Sequence, residues 1–117
     1  MDAGVSLESG LIRVADTSEI AVGKTKKVTA GDIEVLVANV DGNFYALDSL
    51  CTHYGGDLSE GKLEGNILTC PIHGAKFDVT NGNVVSPPTE PLDRPEIENL
   101  PTYPLKIENH GIFIKIL

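Results

Sequence analysis

Two short clusters constrain this chain more than any other feature: Cys51-Thr52-His53 and Cys70-Pro71-Ile72-His73-Gly74, separated by sixteen residues. Each places one cysteine and one histidine on its own segment, and the chain has no other cysteine. A soft thiolate and a borderline imidazole from each arm make two sulfur and two nitrogen donors, a set that suits a 2Fe-2S cluster or a zinc ion. The fold must therefore bring two loops to one place.

The order of the donors separates these readings. A flat 2Fe-2S unit has two terminal ligands on each iron, so two loops can grip it if each sends its cysteine to one iron and its histidine to the other. Zinc takes two cysteines and two histidines as well, but its usual pattern is a pair of cysteines followed by a pair of histidines. The interleaved order argues against zinc without removing it. A Cys51–Cys70 disulfide is the other alternative, and it is disfavoured because nothing at the N-terminus suggests export into an oxidising compartment. Only His110 remains once His53 and His73 are assigned. It stands in a turn-like Asn109-His110-Gly111 and reads as a surface residue.

The rest of the chain has the pattern of an all-β domain. Leu11 to Ala15 reads as a strand, and Thr17 to Ile20 as a turn or single helical turn capped by Thr17 or Ser18. Strands follow at Lys26 to Thr29, Ile33 to Val40 and Phe44 to Leu47, punctuated by Gly31-Asp32 and by the hairpin dipeptide Asp41-Gly42, so that the first half reads as a meander. The ligand arms interrupt this pattern as loops, Ser49 to Asp57 and Pro71 to Ala75. Between them Gly61 to Asn66 is turn-rich, and Ile67-Leu68-Thr69 is a short strand that delivers Cys70. Residues 76 to 85 continue as a hairpin around Asn81-Gly82, with Phe77 and Val79 facing the core.

Six of the seven prolines lie between Pro87 and Pro104, interleaved with Glu90, Asp93, Glu96 and Glu98. That composition predicts an extended, ordered loop. Leu92 to Pro101 carries no motif, and surface elaboration is favoured over a partner-binding role. The chain closes with a predicted hairpin, Tyr103 to Glu108 and Ile112 to Leu117, in which Leu105, Ile107, Ile112, Ile114 and Ile116 alternate onto the core.

These motifs resemble the Rieske-type ferredoxins, and more broadly the Rieske domains of oxygenases and respiratory complexes. The resemblance rests on Cys51-x-His53, Cys70-Pro71-x-His73-Gly74, Phe77-Asp78, Asn81-Gly82 and the proline-rich segment, and it covers almost the whole chain. It implies a Rieske-type antiparallel sheet sandwich with a small cluster-binding subdomain at about 48–88, inside one domain spanning 1–117, with a Pro-rich acidic loop at about 86–104. It also implies one 2Fe-2S cluster, with Cys51 and Cys70 on the inner iron and His53 and His73 on the outer iron through Nδ. Ser86-Pro87-Pro88 would correspond to the proline loop that shields the cluster. High-potential respiratory members carry two further cysteines, a serine and a tyrosine at the positions of Gly56, Ile72, Ala75 and Phe77. Their absence here implies a potential toward the bottom of the range of roughly −150 to +300 mV.

Composition bounds the role. Seventeen acidic residues against nine basic ones give a formal charge of −8, which disfavours nucleic acid or an anionic membrane surface as a partner. No segment approaches a membrane-spanning apolar run, so a soluble, cytoplasmic protein is expected. With one histidine left over, no mononuclear catalytic iron site is expected, and no Gly-x-Gly-x-x-Gly fingerprint announces a nicotinamide or flavin site. The expectation is an electron carrier rather than an enzyme, taking electrons from a separate reductase and, by resemblance, passing them to an oxygenase or another redox enzyme. A cluster-based redox or iron sensor and a zinc-stabilised interaction module are the alternatives.

Overall fold

The computed structural model describes residues 11–50, 57–71, 74–86 and 98–115, and these are almost entirely β. In chain order the strands are β1 Leu11–Asp16, β2 Thr25–Ala30, β3 Ile33–Val40, β4 Asn43–Asp48, β5 Lys62–Glu64, β6 Ile67–Thr69, β7 Lys76–Asp78, β8 Val84–Ser86, β9 Thr102–Tyr103, β10 Leu105–Glu108 and β11 Gly111–Lys115. They form three antiparallel sheets, ordered β1-β11-β10, β2-β3-β4-β9 and β5-β6-β7-β8. No helix among the described residues is long and apolar enough to cross a membrane.

The middle sheet is the shared wall of two cores, and the sequence of β3 shows why. A strand buried on one face alternates apolar and polar residues, whereas one buried on both faces is apolar throughout. Val35, Leu36, Val37 and Ala38 are all fully buried. Val35 and Val37 join Val28, Ala46, Ile112 and Ile114 in a core against the first sheet. Leu36 and Ala38 face the other way, with Leu47, Leu58, Leu68 and Phe77, toward the third sheet. Burying each of these valines, leucines, isoleucines and the phenylalanine stabilises the fold by about 1.5–3 kcal/mol. Asn39, the polar residue that ends the run, is only 5% exposed. Its side-chain amide donates to the Ile20 carbonyl at 2.8 Å and its Oδ1 accepts from Gly42 N–H at 2.8 Å, so its burial is compensated.

The turns follow residue chemistry. Asp41 and Gly42 both have positive φ, 54° and 92°, as a type I′ hairpin turn requires. Asn109 and His110 do the same between β10 and β11, at 48° and 68°, and His110 is exposed there as expected. Among the described residues a second device recurs three times: an aspartate accepts from both the backbone N–H and the hydroxyl of the Ser or Thr two residues on, in Asp16–Ser18, Asp57–Ser59 and Asp78–Thr80.

Several expectations need correction. The 3-10 turn Thr17–Glu19 is capped by Asp16, not by Thr17 or Ser18, and Glu19 completes a capping box by accepting from Asp16 N–H at 2.9 Å. β1 lies outside the meander and pairs with β11, leaving β2-β3-β4 as the meander proper. Lys62-Leu63-Glu64 is a strand within the stretch taken as turns, because β6 supplies a ladder for it. Tyr103 to Glu108 is two strands: Tyr103 pairs with β4, and Pro104, lacking an N–H, marks the change of sheet. Ile107 is 43% exposed and does not join the core, although Leu105 packs against it. Ile116 and residues 87–97 of the proline-rich segment lie outside the described residues.

The end of that proline-rich segment is more than surface elaboration. Leu100 is buried beside Cys70 in the second core, its N–H donates to Gly82 O at 2.7 Å, and Asn99 Oδ1 accepts from Val84 N–H at 2.9 Å. Asp48 N–H donates to Pro101 O at 3.0 Å. The β7–β8 hairpin is thereby stitched to β4, the strand that leads into the first arm.

Candidate metal centre

Of the expected ligands the structure describes Cys70; Cys51, His53 and His73 lie outside the described residues, as do Gly55, Gly56 and Ile72. Cys70 follows β6 directly, is only 3% exposed, and stands as a free cysteine. Its surroundings explain its placement. Leu68 and Phe77 pair across β6 and β7 and both are fully buried, so the strand ends pointing Cys70 toward the same core.

The mouth of the second arm is closed by its own backbone. Cys70 N–H donates to Ala75 O at 2.7 Å and Gly74 N–H donates to Cys70 O at 3.2 Å. Gly74 has φ +78°, a left-handed conformation that other L residues adopt only under strain. Ala75, just beyond, is 1% exposed and belongs to the same core as Cys70. Gly61 approaches the underside of this arm so closely that a Cβ there would stand 2.2 Å from Thr69 O.

The mouth of the first arm is closed differently. Leu50 and Asp57 form an isolated antiparallel bridge, and Leu58 N–H donates to Ser49 O at 2.8 Å. The chain then enters a 3-10 turn, Leu58–Glu60, whose cap is Asp57 and whose Leu58 is fully buried in the Cys70 core. Asp57 Oδ1 accepts from Ser59, while Oδ2 accepts from Lys27 Nζ of β2 at 2.8 Å. The Lys27 ammonium, then the Ser59 hydroxyl, hold the Asp57 carboxyl down at about 2. The same pairing raises Lys27.

Neither Lys27 nor Asp57 stood out in the sequence as part of the site. The sequence marks Asp57 only as the end of the first ligand loop, and nothing local could announce a partner thirty residues away. Among the described residues no group of three or more His, Cys, Asp or Glu gathers elsewhere to hold a metal ion. The donors fit a bis-histidine 2Fe-2S group: a free buried thiol stands at the mouth of one arm, and the sequence supplies a second thiol and two imidazoles on the arms themselves.

Comparison with known proteins agrees with this chemistry. Residues 10–104 match the family model of the Rieske [2Fe-2S] domain. The naphthalene 1,2-dioxygenase system ferredoxin component of Pseudomonas putida is 37% identical over 105 residues, covering 90% of this chain and 94% of its own length. The biphenyl dioxygenase ferredoxin subunit of Pseudomonas sp. strain KKS102 is 34% identical, covering 87% and 88%. Among solved structures, a ferredoxin of Sphingomonas yanoikuyae B1 superposes with a TM-score of 0.79 at 29% identity, covering 91% of this chain and 98% of that one. A chain in a complex of reduced oxygenase and oxidized ferredoxin of carbazole 1,9a-dioxygenase superposes with a TM-score of 0.76 at 28% identity, covering 88% and 99%.

Proposed function

Because the chain belongs to the Rieske [2Fe-2S] domain family, we propose that Cys51 and Cys70 hold the inner iron of its one 2Fe-2S cluster and that His53 and His73 hold the outer iron. The protein is a ferredoxin-type electron carrier and not an enzyme. In this reading it takes one electron at a time from a separate reductase and delivers it to a terminal oxygenase of an aromatic-ring dioxygenase system, within the cytoplasm. Residues 48–88 act as the cluster-binding subdomain of a single domain, and the Pro-rich acidic stretch 86–104 borders it.

One observation carries the ligand reading: a free, buried Cys70 stands at the mouth of a loop sealed by its own backbone, inside the region that matches the family. When bound, a bis-histidine 2Fe-2S group supplies a one-electron couple at roughly −150 to +300 mV. The chain's own residues do the rest. Leu58, Leu68 and Phe77 keep water from the Cys70 side, because all three are fully buried in the same core. Ala75 and Phe77 offer no hydroxyl there, which removes two donors that would favour the reduced state and keeps the potential low. The net charge of −8 favours encounter with basic faces on the redox partners and makes that encounter weaken with salt.

The test is electron delivery. The reduced protein, mixed anaerobically with the oxidised terminal oxygenase of an aromatic dioxygenase system, should be reoxidised by one electron per chain, faster at low salt. A protein that carries iron and sulfide yet accepts no electron from dithionite would contradict the carrier role. One that delivers electrons only to unrelated acceptors would contradict the oxygenase assignment.

A further inference from the structure

We propose that the Lys27–Asp57 ion pair is a strut that positions the first ligand arm, so that Lys27, on a strand remote in sequence, is a positioning residue for the redox centre. The inference rests on the ligand reading above, since the arm governs electron transfer only if Cys51 and His53 bind iron.

The described mouths of the two arms are built differently. The second continues at both ends into the β6–β7 ladder, and the Cys70 and Ala75 backbones lock its mouth. Among the described residues, the mouth of the first shows the isolated Leu50–Asp57 bridge and the Leu58 N–H to Ser49 O hydrogen bond. A two-stranded mouth of that size is marginal without side-chain support. Asp57 supplies the support from two directions. One carboxylate oxygen fixes the 3-10 turn through Ser59, and the other meets Lys27 at 2.8 Å, so the carboxylate cannot satisfy both partners in another orientation.

Lys27 is itself well placed. In the ladder it lies opposite Leu36, which lies opposite Leu47, and both leucines are fully buried against the core that holds Leu58 and Cys70. The row runs Lys27, Leu36, Leu47, Thr102, so Lys27 stands at its β2 end beside two core leucines while its ammonium reaches Asp57 at the end of the arm. Among the described residues the other ion pairs, Arg13–Asp16, Lys26–Glu19, Lys62–Glu64 and Lys106–Glu108, join residues at most seven apart in sequence, whereas Lys27–Asp57 spans thirty and ties β2 to the mouth of the arm. Both side chains are about one third exposed, so a purely structural pair here contributes little to global stability. Its value lies in fixing where the arm sits.

The experiment compares the holo protein with Lys27→Met, which keeps the stem and removes the charge, and with Lys27→Arg. Hydrogen–deuterium exchange over residues 47–60, the rate of cluster loss to an iron chelator, the midpoint potential and the electron paramagnetic resonance line width are read on each. The strut predicts several-fold faster exchange and cluster loss, a shifted midpoint and a broadened signal in Lys27→Met, with Lys27→Arg returning toward wild type. A Lys27→Met protein that changes only its unfolding temperature, or nothing, overturns the proposal. If wild type gives no histidine-ligated 2Fe-2S signal, the ligand reading fails, and exchange over residues 47–60 still decides whether Lys27 holds the arm.

Discussion

Phe77 lies directly across the β6–β7 ladder from Leu68, and both side chains are fully buried in the core that contains Cys70. This pair is the floor of the second arm. Phe77→Ala should therefore lower stability by about 3–5 kcal/mol through the cavity it leaves, and Phe77→Leu by less. Denaturant titration of the two variants checks the order; equal losses would mean that the phenyl ring is not packed as described.

Ala75 and Phe77 are 1% and 0% exposed, so a hydroxyl introduced at either site cannot reach bulk water. It must find a buried acceptor or cost stability. Ala75→Ser and Phe77→Tyr should each raise the midpoint potential by about 40–90 mV, the equivalent of a hydrogen bond worth about 1–2 kcal/mol more to the reduced state. Voltammetry of both variants tests this, and an unchanged or lowered potential in both would contradict the alignment of this arm with that of high-potential relatives.

Two glycines should respond unequally to alanine. At Gly61 the added Cβ would meet Thr69 O at 2.2 Å, a backbone atom that cannot move without displacing Cys70's neighbour. At Gly65 nothing lies within 4 Å, and only the φ of +62° is unfavourable. Gly65→Ala should cost about 1–2 kcal/mol. Gly61→Ala should cost more and should also impair cluster retention. Comparable losses with intact cluster in both would refute the close approach.

Asp57 makes a pH prediction with a definite sign. Its folded value of about 2 lies below the ordinary carboxylate value of 3.8, so its contribution is complete above the unfolded value and is lost as pH falls through about 2. The groups acting on it are Lys27 and Ser59, and Glu34 and Glu60 act on Lys27 in turn. The stability difference between wild type and Asp57→Asn should be constant near neutrality and shrink between about pH 4 and pH 2. A difference independent of pH down to 2 would show that the carboxylate charge does not matter.

What the sequence revealed and what it hid divide along the range of the interactions. The apolar run of β3 and the type I′ dipeptide Asp41-Gly42 carry their structure locally, and both could be read directly. Cys70 could be read because a thiol beside a histidine and two turn-forming residues is an unusual local composition. β5 could not, since Lys62-Leu63-Glu64 has a single apolar residue and is a strand only because β6 pairs with it. The split at Pro104 was hidden behind an alternation that runs through it. The anchoring by Asn99, Leu100 and Pro101 and the Lys27–Asp57 pair were hidden because each partner is chemically ordinary and distant in the chain. Asp16 was overlooked as a cap because Thr17 and Ser18, also good caps, stood beside it.

In the proposed centre two cysteines and two histidines hold one 2Fe-2S cluster that carries single electrons. Electron paramagnetic resonance of the dithionite-reduced protein, with iron, zinc and sulfide analysis of the same sample, tests it most directly. A rhombic signal with the low average g value of histidine-ligated 2Fe-2S clusters is expected, with two irons and two sulfides per chain and loss of that signal in Cys70→Ser. A colourless, silent protein containing zinc, obtained again after anaerobic purification with iron supplied, would contradict it.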